Sequence, residues 1–175
     1  MSHLADSHNF DASPLTQGLH LVVEIAHQVL NVYEGEVLLQ RFSVSTALNG
    51  PGELQDSGCT PRGWHQIRAL IGAGLPRGAV LVGRRPTGEV YTSELARQFP
   101  NRDWILSRIL WLSGLEPGKN RGGSVDTMRR YIYIHGTPDT EPMGVAKSHG
   151  CVRMRNTDVI CLFDMVTPGT PVLIR

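Results

Sequence analysis

The apolar positions of this chain fall into short runs separated by glycine, proline and polar clusters, a pattern of many strands. Residues 1–18 carry Asp, Ser, Asn and His without a period and read as a polar N-terminal tail ahead of one domain over 19–175. From Leu19, the segment LHLVVEIAHQVLNVYEGEVLLQRFSVST is rich in Val, Leu and Ile, and YEGE in its middle turns the chain back on itself, which predicts a meander. Residues 49–64, NGPGELQDSGCTPRGW, hold four glycines and two prolines and predict a loop. Strand-like pieces resume at HQIRALI, GAVLVGR and EVYTS, then at YIYIH, and the chain closes with a turn and a strand in TPGTPVLIR. An antiparallel, mainly β domain is expected.

Two segments depart from that pattern. NRDWILSRILWLSGLEPG crowds Trp104, Ile105, Leu106, Ile109, Leu110, Trp111, Leu112 and Leu115 together, with Asn101 or Asp103 available as a cap and Gly114 as a stop. Apolar residues nearly all round predict a well-buried helix there. NTDVICLFDMV predicts a second helix, with Asn156 as N-cap, Asp158 in the first turn and Val159, Ile160, Phe163 and Val166 on one side. The fold class is therefore mainly β with two or three helices.

At 175 residues and 41% hydrophobic the chain is the size of one domain with a real core. Seventeen Lys and Arg against 16 Asp and Glu leave a formal charge of +1, which gives no electrostatic footprint for nucleic acid. The most apolar stretch is interrupted by Glu24, His27, Gln28 and Asn31, whereas a membrane span needs about 20 nearly uncharged residues, so no span is predicted. The N-terminus has neither a positively charged start nor an apolar run. With Met1 as the native start, a cytoplasmic location is expected; a periplasmic one follows if a leader has been removed. Three cysteines cannot all pair within the chain, and a reducing compartment leaves them as thiols.

Chemistry concentrates in KSHGCVRM, residues 147–154. Cys151 there is a nucleophile, a metal ligand or a small buried residue in a tight turn. It lies sixteen positions after His135, so a returning loop can bring the thiol beside the imidazole that would make it a thiolate. His149 points away from the thiol if the segment is extended, which makes His135 the better base. Cys161, on the apolar side of the second predicted helix, reads as a buried residue, and Cys59 as a bystander in a flexible loop. No C-x-x-C, H-x-x-x-H or H-E-x-x-H spacing supports a metal, and neither a P-loop nor a dinucleotide fingerprint is present, so no cofactor is predicted.

These residues resemble the L,D-transpeptidase catalytic domain family, also called YkuD-like. The family's pattern is a histidine on a strand, a loop of variable length, and Ser or Thr before His-Gly-Cys. Here that is His135 and Gly136, then Ser148, His149, Gly150 and Cys151. The family's TP-x-G followed by an aromatic is matched by Thr60, Pro61, Arg62, Gly63 and Trp64, and FSVSTALNGPGE and GTPVLI resemble its opening and closing strands. The resemblance runs from about Leu19 to Arg175 and implies the family's β-sandwich or barrel fold.

It also implies a cysteine acyltransferase acting on murein tetrapeptides, at the bond between meso-diaminopimelate and the terminal D-alanine. Cys151 would be the nucleophile, His135 its base, and Gly136 would orient the imidazole through its carbonyl. Backbone N–H groups around Gly150 and Cys151 would form the oxyanion hole, with Ser148 and His149 shaping the pocket. Some members have asparagine two residues after the cysteine; here Arg153 stands there. It is read as a bidentate grip on a substrate carboxylate, the alternative being an ordinary salt bridge. Tyr133 and Arg155 are further substrate-binding candidates, and Arg129 and Arg130 are equally plausible carboxylate partners. A cytoplasmic location favours water as acceptor, giving an L,D-carboxypeptidase of murein recycling; cross-linking or D-amino-acid exchange is the alternative, and a non-catalytic peptidoglycan-binding module a more distant one. Carbapenem acylation is a further expectation.

Overall fold

The computed structural model describes residues 13–175, so the part of the predicted tail at 1–12 lies outside the described residues. The first apolar runs pair as β1 (Leu19–Glu24), β2 (Val29–Glu34) and β3 (Val37–Ser43), antiparallel in sequence. YEGE makes the β2–β3 turn with Gly35 at φ 57°, and a further turn at 25–28 places Gln28 at φ 53°. The loop after β3 leads to β4 (Gly63–Ile71), β5 (Ala79–Val82) and β6 (Arg85–Val90). β7 (Ile105–Gly114), β8 (Tyr133–Thr137), β9 (Val152–Arg155) and β10 (Pro171–Ile174) complete the strands, with α1 (Ser93–Gln98) before β7 and α2 (Asn156–Met165) before β10. All ten strands form one sheet in the order β3-β2-β1-β10-β4-β7-β5-β6, with β8 paired to β7 and β9 to β8. The sheet curls into a half-barrel, mainly β with two helices.

The helix predicted within 101–118 is strand β7. It runs between β4 on one side and β5 and β8 on the other, and five consecutive residues, Leu106 to Leu110, are buried. A strand covered on both faces loses the alternation that reveals a strand and reads as a continuous apolar run, which mimics a buried helix. A bulge between Leu106 and Ile109, with Ser107 at φ 68°, disturbs the period further. The predicted strand EVYTS is strand only through Val90, the end of β6; α1 begins at its last residue, Ser93, where Thr92 Oγ1 accepts from the Leu95 N–H at 3.0 Å and caps a single short helix.

Two pairs, β1–β10 and β8–β9, are parallel, so the sheet is mixed where an antiparallel one was expected. The second pair matters most, because it brings the segment after Cys151 alongside the strand that carries His135. In α2, Val159, Leu162 and Phe163 pack against Leu110, Leu112, Ile134 and Met154 of the sheet. Cys161 lies on the opposite side and is exposed, which corrects the buried reading; the helix turns its Leu162–Phe163 side inward. Asn156 is the first helical residue and Arg155 the N-cap; the Asn156 side chain turns inward instead of capping. Among the described residues no helix is long and apolar enough to cross a membrane.

Candidate active site

The SHGC segment is a turn fixed by its own hydroxyl and by a second loop. Ser148 Oγ donates to the Cys151 carbonyl at 2.5 Å and accepts from the Gly150 N–H at 3.2 Å. Thr60 Oγ1 donates to the Gly150 carbonyl at 2.9 Å and accepts from the Ala47 N–H at 3.0 Å, so the TP-x-G loop buttresses the turn. Gly150 takes φ 136°, and a Cβ there would meet Ile132 Cδ1 at 3.1 Å and the Cys59 carbonyl oxygen at 3.2 Å. Only glycine meets both demands. The Gly150 N–H is spent on Ser148, which removes it from the expected oxyanion pair.

Cys151 emerges from this turn at the start of β9. Its Sγ accepts from the Tyr133 N–H at 3.3 Å, and the thiol reaches the Tyr131 carbonyl oxygen at 3.5 Å. His135 sits on β8, opposite Arg153 in the parallel register, and is 2% exposed. The Nδ1–H of the neutral ring donates to the Gly136 carbonyl at 2.7 Å, which leaves Nε2 as an acceptor. Gly136 has no room for a side chain: a Cβ would run into the Leu106 carbonyl oxygen and lie 2.7 Å from Asn156 Oδ1. Asn156 in turn accepts from Ser107 Oγ at 2.6 Å and donates to the Thr137 carbonyl at 2.9 Å, tying the β7 bulge to the end of β8. Sequence reasoning missed this positioning residue because a helix-start asparagine is ordinarily a cap.

Burial pushes the Cys151 thiol up to about 11, opposed in part by the Tyr133 N–H. Burial also holds the His135 imidazole below its ordinary 6.5. At neutral pH the resting pair is thus a thiol and a neutral imidazole, and the proton moves only when a substrate is attacked.

Cys151 and His135 line one open cavity of about 500 Å³, together with Tyr133, Ser148, His149 and Arg153. His149 is exposed and also borders hollows on either side, one toward Arg129 and one toward Asp103 and Glu141. Arg155 does not line this cavity; it is exposed at the start of α2, where its charge acts on Asp158. Arg153 lines it, and its guanidinium faces Asp103 at 3.4 Å and Glu141 at 4.0 Å, the salt bridge that stood as the alternative to a grip on a substrate carboxylate. Arg130 donates to the carbonyls of Gly52, Glu53 and Cys59 and to Ser57 Oγ, pinning the loop that composition predicted to be flexible. Among the described residues, no three His, Cys, Asp or Glu side chains cluster as a metal would require.

An imidazole on β8 and a thiol in the turn that leads into β9, its parallel neighbour, with the imidazole oriented by a carbonyl, define a Cys–His site on a mainly β scaffold. The chain belongs to the L,D-transpeptidase catalytic domain family, whose model matches residues 18–174. A probable L,D-transpeptidase of Escherichia coli, YbiS, is 49% identical over 43 residues, 25% of this chain and 14% of that protein. An Enterococcus faecium L,D-transpeptidase mutant shares the fold at a TM-score of 0.57 and 17% identity, covering 93% of this chain and 52% of that one. L,D-transpeptidase 3 from Mycobacterium tuberculosis, solved with a faropenem-derived adduct, does so at 0.55 and 16%, covering 90% and 60%. The chain therefore spans only part of the length of these proteins.

Proposed function

We propose that this domain cleaves the bond between the L-centre of meso-diaminopimelate and the terminal D-alanine of murein tetrapeptides through a thioester on Cys151. The observation that carries the reading is the Cys151–His135 pair on one cavity, with Nδ1 fixed by Gly136 and Nε2 left to accept a proton. As Sγ attacks the carbonyl carbon, Nε2 takes the thiol proton; the same proton then passes to the D-alanine nitrogen as the C–N bond breaks. The Tyr133 N–H, already on Sγ, favours the thiolate character that develops during attack. With the Gly150 N–H engaged, the Cys151 N–H is the donor for the oxyanion.

Water resolves the thioester. The cavity is open to solvent, and hydrolysis needs no further binding site, so the default product is the tripeptide acid and free D-alanine, an L,D-carboxypeptidase reaction. The hollows that meet at His149 support transpeptidation as the second reading, since an amine acceptor can approach along them. Disaccharide tetrapeptide with and without a second stem or glycine, analysed by mass spectrometry, separates the two. Tripeptide that persists in the presence of amine supports hydrolysis; cross-linked or exchanged product supports transfer. The absence of every product with an intact Cys151 overturns both. Carbapenems carry a strained amide that the same thiol attacks, so imipenem is expected to add its mass to the wild type and not to Cys151→Ala.

A further inference from the structure

Arg84 occupies a position that a hairpin turn alone would not give to an arginine. Val82 pairs with Arg85, and the two residues between them, Gly83 and Arg84, have φ of 54° and 64°. That is the type I′ geometry, which favours glycine or asparagine and disfavours a long side chain with φ above zero. The strain is retained while the side chain is directed into the Cys151 cavity. The Arg84 guanidinium carbon lies 4.6 Å from the Trp111 ring centroid and 4.9 Å from that of Tyr131, and Nη1 donates to Tyr133 Oη at 3.0 Å. Tyr133 is the residue whose N–H touches Cys151 Sγ.

Charge separates Arg84 from the other arginines of the cavity. Arg130 is consumed by carbonyls and Arg153 faces two carboxylates. Among the described residues, Arg84 makes no ion pair, and its polar partner is a neutral phenol. A guanidinium stacked on two rings is positioned by its faces and keeps its edge free, and one N–H on Tyr133 leaves donors for a planar, anionic ligand.

We propose that Arg84 anchors a carboxylate of the acyl-donor peptide in the Cys151 cavity. The proposal rests on the reading of the cavity as a tetrapeptide site, and it moves the carboxylate anchor from β9 to the β5–β6 turn. The loss of this charge-assisted contact weakens binding roughly 10- to 100-fold.

Binding of synthetic tetrapeptide to Cys151→Ala protein by titration calorimetry tests it, with Arg84→Gly and Arg84→Met added in turn. Arg84→Gly relieves the turn and is expected to melt no lower than its parent; Arg84→Met keeps the strain and an unbranched stem. Both are expected to lose the same affinity. Amidating one substrate carboxylate is expected to cost the parent as much and the Arg84 variants nothing more. Unchanged affinity in Arg84→Gly, a loss in only one of the variants, amidation costs that persist without Arg84, or no binding of tetrapeptide to the parent overturns the proposal. Turnover by the wild type is scored separately by mass spectrometry, so a tetrapeptide that binds through Arg84 without being cleaved sinks the reaction and leaves the anchor standing.

Discussion

Thr60 Oγ1 donates to the Gly150 carbonyl and accepts from the Ala47 N–H, so one buried hydroxyl joins the TP-x-G loop, the segment after β3 and the turn that presents Cys151. Thr60→Val keeps the shape and deletes both bonds, leaving a buried N–H and C=O unpaired. Stability by urea titration is expected to fall by about 2 kcal/mol. The specific activity of protein that is still folded should fall as well, because the nucleophile's turn is released; a stable but fully active variant contradicts this role.

Neutral His135 is the form that takes the thiol proton. Its buried imidazole titrates below 6.5, so kcat/KM is expected to hold at pH 7 and to decline, as pH falls, around a midpoint lower than 6.5. Asp103 raises this value and Arg153 lowers it. The midpoint should therefore move down in Asp103→Asn and up in Arg153→Gln. Shifts in the same direction would show that the two charges do not act on His135.

His65 gives the fold a separate acid sensitivity. Its ring is fully buried, with Nδ1–H donating to the Gly63 carbonyl and Nε2 accepting from Thr127 Oγ1, each at 3.0 Å. Burial lowers it from 6.5 to about 4. Above pH 6.5 the ring is neutral in both folded and unfolded chains. Between 6.5 and 4 only the unfolded chain takes the proton, so stability drops by roughly 3 kcal/mol across that window, at about 1.4 kcal/mol per unit. His135 adds a contribution of the same sign. Urea titrations at pH 7.5 and 5 should show the loss, and His65→Asn should reduce it.

The three thiols are expected to separate by reactivity. Cys161 is exposed, while Cys151 is held as a thiol by burial. Iodoacetamide at pH 7.5, followed by peptide mass spectrometry, should label Cys161 first and Cys151 slowly, with the Cys151 rate climbing as pH rises toward 10. Cys151→Ala is expected to be folded and inert, and Cys161→Ser and Cys59→Ser to retain turnover. Rapid, pH-independent labelling of Cys151 would point to a resting thiolate.

The strands that alternate, and the turn residues between them, were legible from the chain alone, as was the pairing of Cys151 and His135 on one cavity. β7 was not, because packing on both faces erases the period by which a strand is read. Arg84 was invisible for a different reason: nothing in GRR marks a positive φ, and its path to Tyr133 exists only after β5, β7 and β8 are side by side. Cys161 was misplaced because it adjoins Leu162 in sequence yet projects from the side of the helix opposite Val159 and Phe163, which turns its thiol to solvent. Arg153 was found, yet its partners Asp103 and Glu141 come from loops that sequence spacing does not relate to β9.

β10 lies between β1 and β4, and among the described residues no other strand joins the β1–β3 meander to the rest of the sheet. The meander and both halves of the Cys–His pair precede β10 in the chain, so the strand that joins the two parts of the sheet is made after them. Without residues 171–174 the facing edges of β1 and β4 have no strand between them and their backbone groups on that side go unpaired. Pairing of β10 with both neighbours is thus the step that closes the sheet.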